Sequence, residues 1–438
     1  MRTARRGTGR TCRSYTRPVD RRNFLTVTAA APALLGRLNT AIDRMEIVSS
    51  HEHLLAESER ISDKADFFTL VSHYLANDLV SAGAPAAPKT YAEFAPWWRA
   101  SRLTGYGQAL RIATKDIYGE EPSSAAAVAR INSKMAAANK PGLYQSVLKD
   151  RARIRYSVLD DYWHGDPQRP DPRFFVLARK MDWFCSARQA ADIRKMEEAT
   201  GVSISGVGGL KKAMERRLEQ SLEQGLVTLK TTLAYSRSLR FEVVSEQDAE
   251  ADFEQLMKAP QPRPPERLSD HMFHHALALA QDKGLPVQVH TGYLAGNAGV
   301  LENTRPLLLS NLFTRYPKVT FDLFHTGWPW VHETTALAKM HRNVTADFCW
   351  MWVLSPAGAR AALSEMLETV PANKILGFGG DYRYVELSYA HAKMAKAGIA
   401  RVLGEKVAAG WCAEGEVLEV ARMILHDNAA RLFPNRKT

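Results

Sequence analysis

Four histidines, one lysine and one aspartate stand in an order along this chain that could do chemistry. His51 and His53 lie in SSHEHL, Lys230 in GLVTLK, His290 in LPVQVH, His325 in TFDLFH and Asp381 in ILGFGGD. Most of them close a short apolar run that reads as a buried strand. Imidazole nitrogens and carboxylate oxygens are ligands that divalent cations take. A set of them at the mouths of successive strands is what a metal site on a (β/α)8 barrel requires.

Taken singly, each residue has a plainer reading. In an extended segment, side chains two apart point to one side with their Cα atoms roughly 6.6 Å apart, so His51 and His53 can converge on one ion while Glu52 faces away. A lone H-x-H is otherwise a solvated or core pair. The zinc-protease pattern H-E-x-x-H is excluded because position 55 is Leu55. Lys230 ends an apolar run, where a charged amine needs either a carboxylate partner or conversion to a carbamate that bridges two metals. His290 and His325 alone would be core histidines. Asp381 is either the N-cap of a helix beginning at Tyr382, or a metal ligand that accepts the proton of bound water. Six suitable side chains in the right order favour the metal site.

Tyr235 and Arg237 follow Lys230 closely enough to reach an anionic substrate, although Arg237 could instead pair with Glu242. Trp328, in the Trp328-Pro329-Trp330 segment, is expected to wall the pocket, with Tyr293 and Arg383 as further substrate contacts. His271, His274 and His275 have helical spacing and read as a helix surface and core face. His332 and His341 receive no role.

The elements that must position these residues follow a strand–helix alternation that implies a parallel sheet. Strands are expected at Met45–Ser50, Arg153–Leu159, Arg173–Leu177, Leu226–Leu229, Pro286–Val289, Val319–Phe324, Val344–Phe348 and Lys374–Phe378. A helix is expected at His271–Lys283, capped by Ser269-Asp270 and closed by Gly284. Residues 57–150 break the rhythm with a Pro/Ala/Gly segment, the aromatics Phe94, Trp97 and Trp98, and an Ala-rich run through Ala125–Ala138. They read as a mostly helical insertion after the first strand, in a single barrel spanning residues 41–438.

The order H-x-H, K, H, H, D is similar to that of the amidohydrolase superfamily. HEHL, LKTTLAYSRSL, FHTGWPW, FGGDY and ILHDNAARLF resemble the amidohydrolase-2 branch, which includes uronate-isomerase-like and nodulin/glutamine-synthetase-fusion amidohydrolase domains. The likeness covers about residues 42–436 and departs at Ser49-Ser50, where relatives often have an Asp before HEH. The resemblance implies a TIM barrel in which His51, His53 and Asp381 hold a buried metal. It makes Lys230 a bridge, and His290 and His325 ligands of a second metal or substrate contacts. Zinc, as one or two ions, is the default for so His-rich a set, with manganese the alternative.

Activation of water for cleavage of a C–N or C–O bond in a small carboxylate-bearing substrate is the expected activity, with Asp381 shuttling the proton. Uronate-isomerase-like or decarboxylase chemistry is the rival within enzymes. A non-catalytic periplasmic binding protein is the rival outside them.

Bulk properties narrow the setting. The net charge of +11 is concentrated at the start, where residues 1–36 hold eight Arg against one Asp, or +7, leaving +4 for the rest. With no basic stripe interleaved with aromatics, nucleic-acid binding is not expected. Arg21-Arg22-Asn23-Phe24-Leu25 followed by VTAAAPALL reads as a twin-arginine export signal within residues 1–40, so a periplasmic location is expected, with a disordered leader on a cytoplasmic enzyme as the alternative. No other segment approaches a membrane span. Cys12, Cys185, Cys349 and Cys412 form no C-x-x-C pair and read as isolated thiols. A small-molecule substrate is the expected partner, and a homo-oligomer is compatible with the sequence.

Overall fold

Short runs of Val, Ile, Leu and Phe, each buried on both faces, become the eight strands of a parallel sheet because helices cover one face and the barrel interior the other. In the computed structural model, which describes residues 21–160 and 170–435 with side chains from residue 32 onward, the strands are β1 (Ile47–Glu52), β2 (Ile154–Asp160), β3 (Phe175–Lys180), β4 (Leu226–Thr231), β5 (Val287–Val289), β6 (Phe321–Leu323), β7 (Val344–Asp347) and β8 (Ile375–Leu376). They lie side by side in chain order, every neighbouring pair from β1·β2 to β7·β8 parallel. Backbone bonds from Ser50 N–H to Phe378 O and from Asp381 N–H to His51 O seam β8 to β1. The fold is a (β/α)8 barrel.

All eight expected strands are present, shifted by a few residues. The run expected as Lys374–Phe378 has regular pairing only at Ile375–Leu376, because Gly377 and Phe378 leave β7 and turn their backbone towards Ile424 and Ser50. The helix expected from His271 begins earlier, at Glu266 after Pro265, and ends as expected at Gly284 in the left-handed conformation. Asp270 is not its cap, since its carboxylate is engaged by Arg237 and by the Glu242 N–H. Asp381 is not a cap either, because the following helix starts at Val385.

The stretch between β1 and β2 is helical, with six α-helices from Glu57–Ser62 to Ala125–Ala138. It has its own apolar core, in which Phe67, Phe94, Leu110 and Ile131 meet Trp350 and Tyr382 from the barrel mouth. One buried ion pair ties it down: Arg60 Nη2 donates to Glu386 Oε1 at 2.6 Å with both side chains fully buried. At the other end of the chain's path, the Arg21–Asp43 helix lays Leu38 and Ile42 into the barrel's main core, which also holds Ile399 and Leu403 of the Val385–Ala408 helix. The side chains of Arg21 and Arg22, and the leader before them, lie outside the described residues.

Candidate metal centre

Strand ends bring the site together. His51 is buried within β1 and His53 follows its last residue, with ring centroids 4.9 Å apart and the planes nearly perpendicular. Asp381 reaches them from the far side of the seam. Its approach requires small residues, since a Cβ on Gly380 would stand 1.9 Å from Glu52 Oε1 and one on Gly379 2.5 Å from Ser50 Oγ. Asp381 itself has φ 58°, and His325 and Thr326 have φ 58° and 49°. Left-handed backbone at such residues costs of order 1–3 kcal/mol each and clusters at functional sites.

Hydrogen bonds fix which nitrogen of each ring faces inward. His51 Nδ1 donates to Gln288 Oε1 at 3.0 Å, while Gln288 Nε2 donates to Ser50 O. His53 Nδ1 donates to the Asp160 carbonyl at 3.1 Å. The remaining lone pair on His53 Nε2 faces Asp381 Oδ1 at 3.2 Å, and that on His51 Nε2 faces Asp381 Oδ1 at 3.8 Å and Asp160 Oδ2 at 3.7 Å. The fully buried His51 Nε2 has no hydrogen-bond partner. His290 and His325 repeat the pattern. His290 Nε2 donates to Tyr293 O and His325 Nδ1 to Cys349 O, leaving His290 Nδ1 and His325 Nε2 facing at 3.2 Å. Electron pairs of neutral rings and carboxylates that converge in this way require a cation between them. The donor set therefore fits a divalent metal.

Electrostatics agree. Burial, reinforced by the charge of Lys230, holds His51 well below the ordinary imidazole range, and burial lowers His325 to about 4. Neutral rings are the metal-binding form. Burial works to raise Asp381, but its close approach to His53 and the surrounding imidazoles outweigh it and keep the carboxyl well below its usual range. Ligand atoms within 4.8 Å of one another form two groups, His51–His53–Asp160 and His325–Cys349–Asp381.

Lys230 is 3% exposed, with its Nζ 3.2 Å from the centre of the Phe324 ring. It makes no ion pair among the described residues, and burial lowers its amine to about 8. A cavity of about 590 Å³ opens above the centre, lined by His53, His73, Tyr74, Lys180, Tyr235 and Arg383 among others. Tyr235 packs on His290 with ring centroids 4.7 Å apart. Tyr293 and Trp328 stand to one side, their rings 5.7 Å apart, with Tyr293 facing a neighbouring cavity.

Of the expected substrate contacts, Tyr235 and Arg383 line the cavity, whereas Tyr293, Trp328 and Arg237 are not among its described lining residues. Arg237 turns away to Asp270 Oδ1 at 2.5 Å and to the Arg240 carbonyl, so its charge is spent within its own loop and helix rather than at the mouth. Its partner is Asp270, not Glu242. His271, His274 and His275 lie on the Glu266–Lys283 helix, bonded to Val244 O, Tyr316 Oη and Glu215.

Several site residues carry no motif in the sequence. Asp160 ends β2 and Lys180 ends β3, paired at 2.9 Å. The same strand-end rule applied to SVLDD and VLARK could have found both. Gln288 and the insertion's His73 and Tyr74 have no such signal.

Residues 255–434 match the family model described as amidohydrolase. Protein fluG of Emericella nidulans is 28% identical over 149 residues, a span of 34% of this chain and 17% of fluG. Among solved structures, a uronate isomerase from Thermotoga maritima superposes with a TM-score of 0.76 at 15% identity, covering 92% of this chain and 97% of that one. A glucuronate isomerase from Caulobacter crescentus gives 0.75 at 19% identity, with 93% and 95% covered. At these identities the structural likeness establishes the fold. The matched segment carries His290, His325 and Asp381, so the likeness to the amidohydrolase family extends over the strands that supply three of the six residues.

Proposed function

We propose that the protein is a metal-dependent hydrolase that activates water to cleave a C–N or C–O bond in a small carboxylate-bearing substrate, with zinc as its ion. The observation that carries this reading is the convergence of the Asp381 carboxylate on the inward nitrogens of His51 and His53. A divalent ion, when bound, supplies polarisation of the substrate carbonyl and brings the pKa of water towards about 7. Asp381 accepts the water's proton and returns it to the leaving group, a role that suits a carboxylate kept ionised beside the imidazoles. Lys180, with Asp160 behind it at 2.9 Å, and Arg383 line the cavity and bring positive charge to its wall, which suits an anionic substrate. Tyr235 closes one wall against His290, and its hydroxyl accepts from the Ala295 N–H.

Aldose–ketose isomerisation of a sugar acid is the second reading. It is favoured by the uronate and glucuronate isomerases among the structural neighbours and by the same cationic cavity. Incubation of the metal-loaded enzyme with amide, lactone and sugar-acid substrates in ¹⁸O water separates the two. Label in an acid product supports hydrolysis, and a ketose formed from an aldose acid without label supports isomerisation. Turnover of none of the three classes contradicts both. The Arg21-Arg22 pattern supports export to the periplasm, which cell fractionation of wild type and an Arg21→Lys/Arg22→Lys variant tests.

A further inference from the structure

Asp160 has a second property besides its pairing with Lys180. We propose that its carboxylate is itself a ligand of the divalent ion, adding a second carboxylate, carried by β2, to His51, His53 and Asp381. The proposal rests on the metal-dependent reading above and adds to it a residue that the H-x-H, K, H, H, D series does not contain.

Three observations carry it. The Asp160 side chain is 2% exposed, so its carboxylate is held inside the barrel mouth rather than in solvent. Its Oδ2 is directed at His51 Nε2, 3.7 Å away, the buried nitrogen that has no hydrogen-bond partner. Two ligands of one ion, each about 2.0–2.2 Å from it, stand roughly 3–4 Å apart. The His51–Asp160 separation of 3.7 Å meets that requirement as well as the 3.8 Å and 3.2 Å from Asp381 to His51 and His53.

The third observation concerns the backbone of the same residue. The Asp160 carbonyl takes the outward Nδ1–H of His53, which leaves His53 Nε2 for the ion. Orientation of the ring is thus a main-chain function and survives a change of side chain. Lys180 Nζ, 2.9 Å from Oδ2, competes with the ion for the same oxygen. Two imidazoles with two carboxylates form a harder donor set than the His-rich series alone, which broadens the site towards Mn²⁺.

Titration of the metal-free protein with Zn²⁺ and Mn²⁺ tests this, with far-UV circular dichroism confirming the fold. Asp160→Asn keeps the backbone carbonyl and the shape, and is expected to weaken metal binding by about 100-fold or more, beyond what loss of an outer-shell partner produces. The double variant Asp160→Asn/Lys180→Met removes one charge of each sign. It is expected to stay weak, and the Co²⁺-substituted protein is expected to show altered visible absorption. Recovery of wild-type affinity in the double variant, with an unchanged Co²⁺ spectrum, makes Asp160 only the counter-ion of Lys180 and overturns the proposal. Asp160→Glu keeps the charge but moves the oxygens. An unchanged Co²⁺ spectrum in that variant overturns the proposal even if the Asn variant does not fold. A wild type that binds neither ion overturns the metal-dependent reading, whereas an Asp160→Asn variant that binds as wild type overturns this inference alone.

Discussion

Each ring in the centre spends one nitrogen on a fixed acceptor and turns the other inward, so single substitutions have separable consequences. Asp381→Asn removes both a metal ligand and the proton acceptor and is expected to lower kcat by at least about 10²-fold with the fold intact, as steady-state kinetics and circular dichroism would show. Full activity in this variant contradicts the mechanism. Lys230 yields a pH signature. Burial holds its amine at about 8 against an ordinary 10.5, so between those values the unfolded chain binds the proton and the folded one does not. Stability therefore gains with rising pH across that window, by about 3 kcal/mol at most. Metal-free wild type compared with Lys230→Met by urea denaturation at pH 7.5 and 10 should show the gain in wild type only. An equal change in both sinks the assignment. The strand-end rule made the H-x-H, K, H, H, D series legible because most of its members close a short apolar run. It did not separate Asp160 from Asp161 after SVL, and it could not foresee that Asp270, 33 positions away, captures Arg237.

Among the elements, the insertion contributes more to the site than its composition indicates. His73-Tyr74-Leu75 forms a tight three-residue turn, with Tyr74 at φ 67°, ψ −52° and the Leu75 N–H bonded to His73 O at 3.0 Å. This rare, strained turn places the Tyr74 hydroxyl 2.7 Å from the Asp381 carbonyl it donates to, so the insertion supports the left-handed backbone of Asp381. Neither the turn nor its partner has a local sequence signal, because the contact spans 307 positions. Anchoring of the same segment depends on the Arg60–Glu386 pair, where Tyr118 also donates to Glu386. Arg60→Met leaves a buried carboxylate without its cation and is expected to cost about 3–5 kcal/mol in urea denaturation. A loss below about 1 kcal/mol, the range of exposed pairs, contradicts this anchoring role. Barrel strands were legible from apolar runs alone, whereas the start of the Glu266–Lys283 helix was not, since the side chain that resembled its cap is occupied by Arg237.

For the molecule as a whole, barrel, insertion and N-terminal helix make one packed unit, and among the described residues no helix is long and apolar enough to cross a membrane. A chain lacking residues 1–33 keeps Leu38 and Ile42 in the core. Removal through residue 43 strips both and is expected to cost about 3–6 kcal/mol at roughly 1.5–3 per buried side chain. Calorimetry that finds equal stability in the two truncations contradicts the packing of that helix.

The account stands on the claim that strand ends scattered along the chain grip one divalent centre. Its most direct test is the metal content of purified, dialysed wild type beside His51→Ala and Asp381→Asn, measured by inductively coupled plasma mass spectrometry. The account predicts near-stoichiometric divalent metal in wild type and its loss from both folded variants. A folded wild type without metal, or variants that retain the full complement, would contradict it.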